Sequence, residues 1–283
     1  MLARLMDEPL PPGLYVVATP IGNLGDLSPR AADTLRRVTR ILAEDKRVSA
    51  KLLAHAGAKA PMSTYHDHSS EAQRAEIIAR LGTEAVALIS DAGTPLISDP
   101  GYKLVRAAQA AGRAVHTIPG PSAAIAALTL AGLPTDRFLF LGFLPAKAKA
   151  RADAIAEIAA VRATLVLYES GPRLADTLAA LAAGLGQREA AVAREISKLH
   201  EECVTGSLAL LADRYSGAAP KGEIVVAVGP PPQAAGPSDN ELDAALGEAL
   251  ATLSPSRAAA QIAEELGVPR KRAYARALEL AGK

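Results

Sequence analysis

The 283-residue chain has no tryptophan, and aromatic residues make up 3% of it, so its interior cannot be organised around rings. With 49% hydrophobic residues, the core must be packed from Ala, Leu, Val and Ile, the composition of sheets covered by helices. A single cysteine, Cys203, excludes an intrachain disulfide framework and a cysteine-based metal site. His66 and His68 have no third ligand at a telling spacing, so no metal is expected. No stretch approaches the roughly 18 uninterrupted apolar residues of a membrane span. The opening MLARLMDEPLPPG lacks the long apolar segment of a signal peptide. A soluble, cytoplasmic protein without a membrane partner is expected. The formal net charge of +1 assigns no partner, because the distribution of charge decides that.

What the chain does have is Ser90 to Gly101, SDAGTPLISDPG, between the apolar run Ala85 to Ile89 and the amphipathic stretch Tyr102 to Ala111. That order reads as strand, loop, helix. Connections of this type usually need only a few residues. This one carries two glycines and two prolines, which restrict the backbone in opposite ways. It brings backbone amides and polar side chains to the carboxyl edge of a strand, where open α/β sheets bind ligands. The bland alternative is an elaborate turn with helix caps.

The same unit recurs. Leu14 to Ala18 reads as a strand ending in Thr19-Pro20-Ile21-Gly22-Asn23, and Ser28-Pro29 opens a helix. Arg40 to Ala43 is a strand ending in Glu44-Asp45-Lys46-Arg47, and Met62 to His66 a short one before Asp67-His68. Ala114 to Ile118 leads into Pro119-Gly120-Pro121-Ser122 and a helix. This alternation predicts a mostly parallel sheet. A second alternation runs from Phe138 to Val228 with a polar stretch through Thr205, and Gly229 to Asn240 has the Pro/Gly composition of a linker. The expected organisation is a flexible segment over 1–12, α/β domains over 13–134 and 135–229, a linker over 230–240 and a helical region over 241–283. In that last region, Arg257 to Leu266 and Arg270 to Leu280 flank a Gly turn like a helix-turn-helix. The second of these helices carries Arg270, Lys271, Arg272 and Arg276, a nucleic-acid contact or a solvated face.

Neither G-x-G-x-x-G nor G-x-x-x-x-G-K-[ST] is present, so the loops suit a small adenosine-containing ligand better than a dinucleotide or triphosphate. YVVATPIGNLGDLSPRA, ILAEDKR, YHDH, ALISDAGTPLISDPGYKLVRAA, IPGPSAAIAAL and the stretch from FLGFLPAKAKAR to LVLYES carry a resemblance. From about Leu14 to Val228 the chain resembles the tetrapyrrole methylase superfamily, in the branch that 2′-O-methylates a cytidine in the decoding region of 16S ribosomal RNA. The resemblance implies two α/β domains with S-adenosylmethionine in the cleft between them, and a homodimer. It carries cofactor contacts onto Ile21, Ala92, Gly93, Thr94, Ile97, Ser122, Ala123, Tyr168 and Glu169. Lys46 departs from the family's AEDTR.

A ribose hydroxyl is a weak acid, so a group must take its proton; Glu44, Asp45, His66 and Asp67 are the leading candidates, with His68 and Asp99 also at strand ends. Lys46, Arg47, Lys147, Lys149 and Arg151 are candidate phosphate partners. Few aromatics argue against extensive base stacking, so free 16S ribosomal RNA or the 30S subunit would be recognised by shape and backbone, with the target nucleotide splayed out. Two rivals stand beside this reading: a corrin or porphyrin C-methyltransferase, which needs an apolar trough, and a non-catalytic nucleic-acid-binding ligand sensor.

Overall fold

The computed structural model describes residues 9–217, 219–232 and 237–282. The chain divides between Pro231 and Pro232 into two compact units.

The first unit holds two five-stranded sheets. In the first sheet, β1 (Gly13–Val17), β2 (Arg40–Ala43), β3 (Met62–Thr64), β4 (Ala85–Leu88) and β5 (Val115–Ile118) are all parallel, in the order β3-β2-β4-β1-β5. Helices α1 (Pro29–Arg37), α2 (Lys46–Ala56), α3 (Glu71–Arg80), α4 (Tyr102–Ala110) and α5 (Ala123–Ala131) follow the strands in turn. Local chemistry sets their ends. Ser28 Oγ accepts from the Ala31 amide at 3.1 Å, with Pro29 at the first helical position, and Ser70 does the same for Gln73 at 3.1 Å. Gly57, at φ 70°, closes α2 in the left-handed conformation. One face of the sheet buries Val17, Leu35, Ile41 and Leu53, and the other Leu14, Leu42, Leu88 and Leu104. Because β4, β1 and β5 are neighbours, the three Gly/Pro loops leave adjacent strands at one edge.

The second sheet contains β6 (Phe138–Phe143), β7 (Thr164–Ser170), β8 (Glu189–Arg194), β9 (Glu202–Ser207) and β10 (Glu223–Val228), in the order β6-β7-β10-β8-β9. Only β6 and β7 pair in parallel; the other neighbours are antiparallel. The polar stretch expected to run through Thr205 is in part a strand: β9 pairs with β8 from Glu189↔Ser207 to Arg194↔Glu202. As a half-buried edge strand it needs no apolar run. Helices α6 (Ala148–Ile158), α7 (Gly171–Leu185) and α8 (Leu208–Tyr215) cover one face, burying Ile155, Leu174, Leu178, Leu181 and Leu211, each side chain contributing roughly 1.5–3 kcal/mol gross. The opposite face receives α5: Ala124, Ala127 and Leu128 pack with Val166, Ala193 and Val225. Helix α5 thus joins the two sheets, and Ile21 lies in the same cluster.

The second unit is helical: α9 (Asp239–Leu250), α10 (Pro255–Glu265) and α11 (Arg270–Leu280) enclose Leu242, Leu246, Ile262, Ala273 and Ala277. Two of the four cations singled out on α11 are used inside it. Arg272 pairs with Asp239 at 2.7 Å, and Arg276 with Asp243 and Glu279.

Candidate active site

The three loops are tied together by their backbones. The Thr19 amide donates to the Gly93 carbonyl at 2.8 Å, and the Gly93 amide returns a bond to Thr19 at 3.1 Å. Thr94 Oγ1 donates to the Pro121 carbonyl at 2.9 Å, joining the central loop to the third. Gly93 takes φ 83°, and a Cβ placed there would stand 3.2 Å from Ile21 Cγ2. The position therefore favours glycine both by conformation and by space. Leu96 (φ 75°) and Ser98 (φ 63°) also occupy the left-handed region, which costs a residue with a Cβ roughly 1 kcal/mol or more. Strain of this kind concentrates at functional loops.

The loops bound a cavity of about 300 Å³, the size of a small-ligand site. All nine residues carried over as cofactor contacts line it: Ile21, Ala92, Gly93, Thr94, Ile97, Ser122, Ala123, Tyr168 and Glu169. Ile21, Ile97 and Ala123 give it apolar wall. Tyr168 forms edge contacts with Phe140 and Phe143, at 5.0 and 5.7 Å between ring centres. Burial pushes the Tyr168 phenol above its ordinary pKa, while hydrogen bonds from the Ala124 backbone and the Ser122 side chain hold it back. The Ser122 side chain does not cap α5; the phenol, from the other sheet, meets the helix start instead.

Glu169 also holds its own surroundings together. Its carboxylate is buried and accepts from Thr177 Oγ1 at 2.7 Å and from the Ser170 amide at 2.8 Å, and Arg173 approaches at 3.4 Å. Its oxygens hold the start of α7, so it shapes the cavity wall. Asp99 lies in the same cavity with a carboxyl raised to about 6. Burial is the main cause; the Ser90 hydroxyl opposes it by hydrogen bonding, and Glu44, Asp91 and Glu223 add to it by repulsion.

A second, more open recess is lined by Glu44, Asp45, Lys46, Arg47, Thr64, His66 and Asp91. Asp91 borders both. The Asp45 carboxylate accepts from the Arg47 amide at 2.8 Å, capping α2, and pairs with the Arg47 guanidinium at 3.2 Å. Those bonds hold it below the usual carboxylate range. Burial raises Glu44, with Asp91 and Asp67 adding repulsion and His66 opposing it. Asp67 lines neither cavity: its Oδ1 accepts from the Gly101 amide at 3.0 Å, anchoring the end of the central loop.

Lys147 and Lys149 are exposed at the start of α6. Arg151 is 8% exposed, on the same helical face as buried Ile155 one turn on, and so offers less surface to a phosphate than the two lysines. Sequence reasoning missed Glu195, Ile196 and Lys198 after β8, and Gly222 to Val225 at β10, all of which line the first cavity. Glu195 (φ 50°) and Ser197 (φ 66°) bend the segment with no glycine to announce it.

Residues 13–212 match the Tetrapyrrole (Corrin/Porphyrin) Methylases, and residues 236–281 match the RsmI C-terminal HTH domain. The chain is 56% identical over 273 residues to the "Ribosomal RNA small subunit methyltransferase I" of Erythrobacter litoralis, covering 96% of this chain and 97% of that one. It is 48% identical to the protein of the same name from Mesorhizobium japonicum, with 96% and 94% covered. Among solved structures it resembles uroporphyrin-III C-methyltransferase from Thermus thermophilus complexed with S-adenosylhomocysteine. The TM-score is 0.54 at 20% identity, over 77% of this chain and 97% of that one, a likeness of fold.

Proposed function

The chain belongs to the tetrapyrrole methylase family and is a methyltransferase of small-subunit ribosomal RNA; we propose that it uses S-adenosylmethionine to methylate the 2′-hydroxyl of a cytidine in the decoding region of 16S ribosomal RNA. The observation that carries the reading is the meeting of nine residues, scattered from Ile21 to Glu169, around one cavity at the carboxyl edge of three parallel strands.

The cavity suits the cofactor chemically. Ile21, Ile97 and Ala123 offer apolar surface to an adenine, the Gly93 backbone leaves space where a side chain would intrude, and the start of α5 suits a carboxylate. The bound cofactor supplies an electrophilic methyl group on a sulfonium. The protein's work is then to align the hydroxyl with that group and to keep water away. The adjoining recess, with Lys46 and Arg47 at its rim, is placed to receive the nucleotide and its phosphates. The reading includes a homodimer, to be checked by light scattering, and a cytoplasmic location, to be checked by fractionation; among the described residues no helix is long and apolar enough to cross a membrane.

The test is titration with S-adenosylhomocysteine by calorimetry, followed by methyl transfer to 30S subunits lacking the modification. Binding followed by one 2′-O-methylcytidine in 16S ribosomal RNA is the expected result. Binding without transfer to RNA, but with transfer to a tetrapyrrole, would replace this substrate by the rival one. Absence of binding with and without RNA would leave the ligand-sensor reading in its place.

A further inference from the structure

We propose that Asp99 is the catalytic base that takes the proton from the attacking ribose hydroxyl. The inference rests on the 2′-O-methyltransferase reading above and names the group that reading leaves open.

The acids around the cavity differ in what already holds them. The Glu169 oxygens are taken by Thr177, Ser170 and Arg173. Glu195 pairs with Lys198 at 3.1 Å. Asp91 accepts from the Asp45 amide at 3.2 Å, and Glu223 is exposed at the start of β10. Asp99 sits on the cavity wall with Gly93, Ser122 and Tyr168, partly desolvated. The backbone that presents it is strained on its near side, with Ser98 at φ 63°, and Pro100 follows. Asp67, by holding the Gly101 amide, fixes the far end of the same segment.

The groups facing Asp99 set its proton affinity from several elements. Glu44 follows β2, Asp91 stands in the same loop, Glu223 opens β10, and the Tyr168 phenol belongs to β7. Lys198, the cation on the cavity wall, is engaged by Glu195. A carboxyl near 6 is charged at neutral pH yet more basic than an ordinary aspartate, the compromise general-base catalysis needs. In the reaction the 2′-oxygen gains the methyl carbon, the carbon–sulfur bond of the donor breaks with its electron pair left on sulfur, and the hydroxyl proton passes to Asp99. Solvent then removes that proton.

Asp99→Asn keeps the shape and removes the base. Expected is a loss of roughly a hundredfold or more in kcat, with S-adenosylhomocysteine affinity by calorimetry within a few-fold of wild type. The wild-type profile of kcat/KM should fall below about pH 6, and this limb should vanish in the variant. Glu223→Gln should move the limb to lower pH, since Glu223 raises Asp99. A readout independent of turnover is thermal stability. Because the native carboxyl binds its proton more tightly than the unfolded one, wild-type stability drops as pH rises from about 4 through about 6. Asp99→Asn should therefore melt higher than wild type at pH 7.5 and equally near pH 4. Activity within threefold of wild type, or a surviving acid limb, overturns the assignment. Absence of RNA methylation by the wild type sinks the underlying reading as well, whereas an active wild type with an unaffected variant sinks Asp99 alone.

Discussion

The two recesses at the carboxyl edge of the parallel sheet share Asp91 yet are built on different principles. The first is made by backbone: reciprocal bonds between Thr19 and Gly93, left-handed residues at positions 93, 96 and 98, and a helix start facing a phenol from the other sheet. The second is made by exposed and half-buried polar side chains, with Asp45 and Arg47 satisfying each other at its rim. A site fixed by main chain is rigid before anything binds, which suits a cofactor of constant shape. A site lined by solvated charges adapts, which suits a large polyanion recognised through its phosphates.

Breaking the first recess should give the largest effect. Gly93→Arg places a long side chain in a cavity of about 300 Å³, at a φ of 83° that disfavours any Cβ. S-adenosylhomocysteine affinity should fall by more than about a hundredfold, equivalent to roughly 3 kcal/mol, with circular dichroism retained. An unchanged affinity would remove the central loop from the cofactor site. Glu169→Ala comes next and separates wall from ligand contact. It leaves Arg173 and Thr177 without their carboxylate, so stability in urea should fall by about 2–3 kcal/mol. In conditions where the variant stays folded, cofactor affinity should change only a few-fold. A large loss of affinity with intact stability would instead make Glu169 a direct contact.

The same contrast explains what could be read from the sequence. Ser90 to Gly101 announced itself because glycine and proline encode backbone directly, and the parallel sheet followed from apolar runs alternating with capped helices. The second sheet was harder. Its β9 carries Glu, Thr, Gly and Ser at a half-buried edge, and its antiparallel pairing leaves no mark on the order of strands and helices. Left-handed Leu96, Ser98, Glu195 and Ser197 are ordinary residues in an uncommon conformation, dictated by the surrounding packing. The burial of Arg151 is legible only from its four-residue spacing to Ile155, which places both on one helical face. Nor does sequence distinguish a satisfied Glu169 from a poorly satisfied Asp99, since that depends on Thr177, Arg173 and Ser90 arriving in space.

The second recess should yield to substitution by degrees. Replacing Lys46 and Arg47 together by Ala should weaken 30S or RNA binding and reduce the slope of log K against log salt by about 1.5, the release of two phosphate counterions. Cofactor affinity should not follow, because neither residue lines the first cavity. The smallest and most discriminating change is Lys46→Thr, which introduces the residue the family resemblance leads one to expect there. Lys46 opens α2, where a positive charge opposes the helix dipole, so its removal should stabilise the protein by about 0.3–1 kcal/mol. If Lys46 also touches a phosphate, the same variant should bind RNA a few-fold more weakly, with a salt slope smaller by about 0.7–0.9. Opposite signs in the two measurements would mark Lys46 as a binding cation kept at a cost to the helix. A gain in stability with unchanged RNA binding would leave Arg47, already drawn toward Asp45, as the phosphate contact of this rim.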